Sequence, residues 1–108
     1  MKIAAVQCRS IPGNIEENLK KHEELIRTAK ANGAGMVLFP ELSVTGYVPN
    51  YSLWEILIRQ KSDILKWAKD AAKKYQVYLG IGLTEFINEE IRNTYVITGP
   101  QGDIEGRA

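Results

Sequence analysis

The chain has 108 residues, enough for one compact domain and too few for two. Hydrophobic residues make up 44% of the chain and charged residues 25%, a balance typical of globular proteins rather than of disordered or fibrous ones. The 14 Lys and Arg residues oppose 13 Asp and Glu residues, which leaves a net charge of +1. That charge gives no electrostatic reason to expect nucleic acid or an acidic membrane as a partner.

The cysteine and histidine content limits the covalent and metal chemistry. Cys8 is the only cysteine in the sequence, which excludes an internal disulfide. Together with a single histidine, His22, it cannot build a structural zinc site, and no metal site is expected. The apolar run at residues 3–6 is too short for a signal peptide or a membrane span. The sequence therefore predicts a cytoplasmic protein without a membrane partner.

The first half of the chain predicts two strands around an amphipathic helix. Residues 3–6 form a short apolar strand. Apolar residues then recur at helical spacing from Ile15 to Ala29, with Asn14 as the N-cap and Gly33 as the stop. Residues 36–39 predict a buried strand that Pro40 closes.

The second half predicts helices, a hairpin and an unfinished strand. A polar loop covers residues 41–51, a short helix runs from Ser52 to about residue 59, and a second helix runs from residue 62 or 63 to Tyr75. Strands follow at residues 77–83 and 93–98, with turns at 88–90 and 99–103, and residues 104–108 open a fifth strand. This order predicts an α/β fold with a mixed sheet and crossover helices, and two crossovers are not expected to cover both faces of the sheet.

Glu41 is the most informative polar residue. It follows a buried strand directly, so it lies at the carboxyl end of that strand, where α/β folds bind ligands. A carboxylate beside residues 36–39 is expected to be partly desolvated and suited to act as a general base. From spacing alone, an exposed glutamate at the start of a loop is an equally good interpretation.

The sequence around Glu41 resembles a known family. Residues 39–47, Phe-Pro-Glu-Leu-Ser-Val-Thr-Gly-Tyr, are similar to the glutamate motif of the nitrilase superfamily, the carbon–nitrogen hydrolases. Further resemblances occur in the order of that family at residues 3–7, 13–14, 80–85, 93–97 and 102–107. Each match is weak alone, but five in the right order with compatible spacing are specific.

The resemblance implies a fold and a chemistry. The family fold is a four-layer α-β-β-α sandwich, of which residues 1–108 would form the N-terminal part of a single, truncated domain. The family hydrolyses nonpeptide carbon–nitrogen bonds of small amides or nitriles with a Glu-Lys-Cys triad, through a thioester acyl-enzyme and without a cofactor. Glu41 would be the general base of that triad, and an amidase is favoured because most members cleave amides.

The resemblance also marks what the chain lacks. The family lysine would follow Arg107, and the nucleophilic cysteine would lie further on, so the isolated chain is expected to be inactive. The alternative is a non-catalytic partner or assembly module, or half of a split protein, which self-associates through its exposed sheet. Under either interpretation, a homo-oligomer is expected.

Four other side chains are weighed as site residues. Tyr47 is expected either to contact substrate or to anchor its loop. Glu85, at the end of a strand, is expected either to line the site near Glu41 or to be solvated. Cys8 is interpreted as structural rather than as a substitute nucleophile, because cysteine is among the most often buried residues. His22 is interpreted as a packed or boundary residue of the first helix.

Overall fold

The computed structural model describes residues 1–47 and 51–108, with residues 51–59 and 61 described by their backbone alone. Its elements, in chain order, are β1 (Lys2–Ala5), α1 (Ile15–Ala31), β2 (Ala34–Leu38), α2 (Tyr51–Tyr75), β3 (Tyr78–Ile87), β4 (Glu90–Thr98) and β5 (Ile104–Arg107). The predicted α/β order is confirmed.

The five strands form one mixed sheet in the order β1-β2-β3-β4-β5. Strands β1, β2 and β3 are parallel, with Val37 in register with Ala4 and with Leu79. Strands β3, β4 and β5 are antiparallel neighbours. The carboxyl ends of the three parallel strands therefore meet at one edge of the sheet, and Glu41 follows the central one of them.

Helix α1 begins where its sequence predicts. The Asn14 side chain accepts a hydrogen bond from the Glu17 amide at 3.2 Å, which satisfies one of the unpaired amides of the first turn. The helix ends at Ala31, and Gly33 follows with φ +89°, a conformation that favours glycine.

Helix α2 corrects the prediction of two helices. Residues 51–75 form one continuous helix of 25 residues, although Ser62 and Asp63 were expected to begin a second one. Serine and aspartate favour helix N-termini because their side chains bond to nearby backbone amides, but neither residue breaks a helix as proline does. The predicted cap at Ser52 is not tested, because the side chain of Ser52 is not among those described. Residues 48–50 of the predicted loop also lie outside the described residues.

The two faces of the sheet have different surroundings. Both crossovers connect adjacent parallel strands in the same direction, and right-handed connections place α1 and α2 on the same face, where they contact each other. We call this the covered face. The strand side chains that are fully buried on this face include Val37, Leu79, Ile81, Leu83 and Val96.

The opposite side of the sheet, which carries Ile3, Leu38, Ile91, Tyr95 and Ile97 by strand alternation, is called the open face. Ile3 is 58% exposed and Ile91 is 48% exposed. The expectation that two crossover helices leave one face uncovered therefore holds for the described part of the chain.

The β3–β4 hairpin is longer than predicted. Its pairing continues to Ile87 opposite Glu90, so β4 begins three residues before the predicted Asn93. The turn consists of Asn88 and Glu89, both with positive φ (50° and 64°), as two-residue hairpin turns require. The sequence predicts a turn at residues 88–90 but not its two-residue form, because glutamate rarely adopts that conformation.

Candidate active site

Glu41 lies on an arch that leaves the sheet and returns to it. At the end of β2, the Phe39 amide still donates to the Gly80 carbonyl of β3 at 2.9 Å. The chain then leaves the sheet in a series of turns. It contacts β3 again where the Val44 amide donates to the Gly82 carbonyl at 2.8 Å. Residues 40–42 therefore form the arch, with Glu41 at its centre, between two anchor points on β3.

Gly82 makes this arch possible. A Cβ at this position would lie 2.3 Å from the Leu42 nitrogen and 2.7 Å from the Pro40 oxygen. These are backbone atoms, which cannot turn away as the end of a flexible side chain can. The glycine at position 82 therefore has a local physical reason, because the arch lies directly on the backbone of β3.

Leu42 holds the arch in a tight conformation. Its φ is +55°, a left-handed conformation that is unfavourable for leucine by about 1–2 kcal/mol. Two hydrogen bonds stabilise it, from the Ser43 amide to the Pro40 carbonyl at 3.2 Å and from the Gly46 amide to the Leu42 carbonyl at 2.7 Å. A strained backbone next to a candidate catalytic residue is a common feature of active sites.

The Glu41 carboxylate is exposed and bonded to Asn93. The Asn93 side-chain amide, on the open face of β4, donates to Glu41 Oε1. In the described part of the chain the expected partial desolvation of Glu41 is absent, because its side chain is exposed. Asn93 is not predicted as a site residue from the sequence, where its signal is limited to its place in the family-like segment 93–97.

Tyr95 of β4 also binds the backbone next to the arch. Its hydroxyl donates to the Phe39 carbonyl at 2.7 Å, just before the arch begins. Burial raises the pKa of this hydroxyl, while its bond to the carbonyl lowers it, so the group remains a neutral donor. Two open-face side chains of β4 thus hold this region: Asn93 contacts the arch, and Tyr95 contacts Phe39 just before it.

Tyr47 lies in the loop that follows the arch and is 72% exposed. It lines a shallow cavity of about 240 Å³ together with Glu41 and Cys8, and a second one of about 190 Å³ together with Asn93. The structure therefore brings Tyr47 and Glu41 to the same surface.

Cys8 lines the first of these cavities and is half-buried. Burial raises the pKa of its thiol, and Lys21 opposes this effect. A raised pKa lowers the fraction of thiolate, which is the nucleophilic form, and this agrees with the structural interpretation of Cys8.

Glu85 lies on the other face of the sheet. Strand neighbours alternate, so Glu85 projects to the covered side while Thr84, opposite Asn93, projects to the open side. The Glu85 carboxylate is buried and accepts two hydrogen bonds from Arg107 Nη2, at 2.9 and 2.8 Å. This geometry does not support the predicted substrate contact of Glu85, nor the alternative of a solvated carboxylate.

His22 is packed, in agreement with its interpretation from sequence. Its ring is 1% exposed and stacks on Phe39 with a centroid distance of 4.0 Å. Its Nε2 atom lies 2.9 Å from the hydroxyl of Ser43, two residues after Glu41.

Comparison with known proteins identifies the family. The sequence model of the carbon-nitrogen hydrolase family matches residues 2–108. The chain belongs to this family. A nitrilase from Pyrococcus abyssi is 33% identical over 109 residues, which cover 96% of the chain and 41% of the relative. A cyanide hydratase from Microdochium sorghi is 27% identical, covering 95% of the chain and 32% of the relative.

Solved structures confirm the nitrilase fold for this carbon–nitrogen hydrolase chain. An amidase from Nesterenkonia sp. superposes with a TM-score of 0.82 at 22% identity, covering 99% of the chain and 41% of the amidase. A carbon–nitrogen hydrolase from Helicobacter pylori gives a TM-score of 0.87 at 19% identity, covering all of the chain and 38% of that protein. The chain thus spans about two-fifths of the length of these relatives or less.

The described residues show neither a metal-ligand cluster nor a membrane span. Among the side chains that the structure describes, those of residues 1–47, 60 and 62–108, no three His, Cys, Asp or Glu groups are clustered as a metal ion would require. Over the same residues, neither helix combines the length and the apolar character of a membrane span.

Proposed function

We propose that residues 1–108 form the N-terminal part of a single carbon–nitrogen hydrolase domain, in which Glu41 is the general base. The observation that carries this proposal is the position of Glu41, on a strained arch at the carboxyl end of β2, with its carboxylate exposed and held by Asn93. Such a group is accessible to a reacting partner and is fixed in direction, as general-base catalysis requires.

The proposed reaction uses a cysteine and a lysine from outside residues 1–108, as the family resemblance implies. The Glu41 carboxylate takes the proton from the cysteine thiol, and the thiolate attacks the carbonyl or nitrile carbon. For an amide, the lysine ammonium stabilises the oxyanion, the protonated Glu41 returns its proton to the nitrogen, and ammonia leaves behind a thioester. Glu41 then takes a proton from water, whose oxygen attacks the thioester, and the acid and the free thiol are released.

Two residues of the open face assist Glu41 in this proposal. Asn93 donates to one carboxylate oxygen, which leaves the other free to accept the thiol proton. Tyr47, exposed beside the same cavity, contacts the acyl side of the substrate. For Glu85 the buried pair with Arg107 favours a role in holding β5 against β3 and β4.

The proposed substrates are small amides, with nitriles as the second candidate. Amides are supported by the Nesterenkonia amidase, one of whose structures shows the result of Michael addition of acrylamide at its active-site cysteine and another a complex with butyramide. Nitriles are supported by the Pyrococcus abyssi relative, which is named a nitrilase.

The test is ammonia release by the full-length protein that contains residues 1–108. With butyramide and butyronitrile as probes, the wild-type protein should turn over one of them. Glu41→Gln should lower kcat by at least about 100-fold, because it removes the general base. The matched control is Glu24→Gln, an exposed carboxylate of α1, which should retain full activity.

The 108-residue chain alone should release no ammonia from either probe, because the lysine and the cysteine are missing. Hydrolysis by this chain that Glu41→Gln abolishes would contradict the requirement for further residues. Wild-type hydrolysis by the full-length protein that survives Glu41→Gln would contradict the role of Glu41.

A second candidate function is that of an assembly module. The observation that favours it is the open face, where Ile3 and Ile91 are about half exposed. Exposed apolar surface on a sheet promotes association. The proposed assembly is a homo-oligomer of the 108-residue chain. Sedimentation of the chain as a concentration-independent monomer would contradict this candidate.

A further inference from the structure

His22 has a complete set of polar partners inside the protein. Its Nδ1 atom lies 2.6 Å from the Asn18 carbonyl of the preceding helical turn, and its Nε2 atom lies 2.9 Å from Ser43 Oγ. Because a carbonyl only accepts hydrogen bonds, Nδ1 carries the proton and Nε2 is the acceptor of a neutral ring. Burial lowers the pKa of His22 to about 4, so this tautomer persists at neutral pH.

Ser43 links His22 to strand β3. Its hydroxyl donates its single proton to His22 Nε2 and accepts a hydrogen bond from the Gly82 amide at 3.1 Å. The Ser43 side chain is 2% exposed, so water is not available to replace either partner. One hydroxyl therefore joins α1, the Glu41 loop and β3.

This link acts next to the strained part of the arch. Ser43 follows Leu42, whose φ is +55°, and Leu42 follows Glu41. If Ser43 leaves its position, the left-handed conformation of Leu42 loses one of its two anchors on β3, the other being the bond from the Val44 amide to the Gly82 carbonyl. The Glu41 carboxylate would then no longer be fixed relative to Asn93.

We propose that His22 is a positioning residue, which holds the Glu41 arch on β3 through the hydroxyl of Ser43. The proposal rests on the proposed function of Glu41 as the general base. It gives His22 a role beyond packing against Phe39, because a hydrophobic residue of the same volume would leave Ser43 without an acceptor for its proton.

The experiment compares four single variants and the double variant of His22→Ala and Ser43→Ala, all in the full-length protein that contains residues 1–108. His22→Ala removes the acceptor, Ser43→Ala removes the link, and His22→Gln supplies a different neutral acceptor that reaches towards Ser43. Ile26→Ala is the control for packing, because Ile26 is fully buried one turn further along α1 and carries no polar group.

Two readouts are measured for each variant. The first is hydrogen exchange of the Gly82 amide relative to the amides of the β3–β4 ladder. The second is kcat and KM for the amide or nitrile that the wild-type protein hydrolyses.

We expect the variants of His22 and Ser43 to affect the Gly82 amide and kcat more than the rest of the sheet. His22→Ala and Ser43→Ala should each speed exchange at Gly82 by at least about tenfold relative to the ladder, and the double variant should add little, because both changes break one link. Each should lower kcat by about 10- to 100-fold with little change in KM, since displacement of a catalytic group by about 1 Å has effects of this size. His22→Gln should recover most of both losses.

The control separates positioning from packing. Ile26→Ala should accelerate exchange at Gly82 and in the ladder by the same factor and leave kcat within about twofold. Equal behaviour of His22→Ala and Ile26→Ala, or a failure of His22→Gln to recover either readout, would overturn the proposal.

The exchange readout also distinguishes a failure of the proposal for His22 from a failure of the proposed function. If the wild-type protein hydrolyses neither probe, the proposed function fails, while selective exchange at Gly82 in His22→Ala still supports the link between His22 and the arch. If hydrolysis depends on Glu41 but exchange at Gly82 does not respond to His22→Ala, the proposal for His22 fails and the proposed function stands.

Discussion

The covered and open faces of the sheet differ in what their residues do. On the covered face, Ile81 and Leu83 of β3 are completely buried under the helices. On the open face, Ile91 of the neighbouring strand β4 is 48% exposed, and Glu41 and Asn93 meet there at the surface. The covered face holds the fold together, whereas the open face carries the candidate catalytic group.

Two carboxylates show the same contrast. Glu85 is buried on the covered side and forms a charge pair with Arg107, as a buried charge requires. Glu41 is exposed on the open side, and its partner is the neutral amide of Asn93. The Glu85 carboxylate is enclosed by its pair with Arg107, whereas the Glu41 carboxylate is open to a reacting group at the surface.

The largest expected effect is on the free energy of unfolding, when an isoleucine on each face is replaced by alanine. Ile81→Ala in the 108-residue chain should lower the free energy of unfolding by about 4 kcal/mol, because it leaves a cavity in the core. Ile91→Ala, at an exposed position, should lower it by less than about 1 kcal/mol. Urea denaturation measures both, and similar losses for the two variants would show that the open face is covered in solution.

The next largest effect is the pH dependence that His22 contributes. Its pKa is about 4 in the folded protein and near 6.5 in the unfolded chain, so between these values the unfolded chain binds the extra proton. The contribution to stability is complete above pH 6.5 and falls as the pH is lowered, by about 3 kcal/mol at pH 4. Denaturation curves at several pH values should show this loss for the wild type.

His22→Gln provides the control for that pH dependence. Glutamine does not titrate, so the difference in unfolding free energy between wild type and variant should change over pH 4–6.5 and remain constant above it. Carboxylates such as Glu23 contribute equally to both proteins and cancel in the difference. A constant difference across the whole range would indicate a solvated His22.

A smaller effect is expected from crowding the arch. Gly82→Ala places a Cβ against the backbone of Leu42 and should destabilise the chain by about 2 kcal/mol while displacing Glu41. Gly106→Ala is the matched control, because its Cβ would meet nothing within 4 Å. The two variants are compared by thermal unfolding, and equal midpoints would contradict the close contact between the arch and β3.

Most of the fold could be predicted because its signals are local. Asn14 and Gly33 bound α1 as their side-chain chemistry dictates, and the apolar runs place β1 and β2. The continuous helix α2 could not be predicted, because Ser62 resembles a cap and only the absence of a helix breaker argues against one.

The candidate site was predictable only in part. Glu41 has a sequence signal in its motif and in its place after a buried strand. Asn93 and Ser43 have none of comparable strength, because their partners lie 52 and 21 residues away in the chain. Such contacts depend on strand register and on the path of the arch, which local patterns do not encode.

The most direct test of the account compares Glu41→Gln with Glu85→Gln in the full-length protein. For each variant, kcat is measured per folded molecule and the free energy of unfolding by denaturation. We expect Glu41→Gln to abolish turnover with little change in stability. Glu85→Gln should keep turnover while lowering stability by about 2 kcal/mol, because it weakens the bonds to Arg107. Full turnover by Glu41→Gln, or loss of turnover in a stable Glu85→Gln protein, would contradict the assignment of catalysis to the open face.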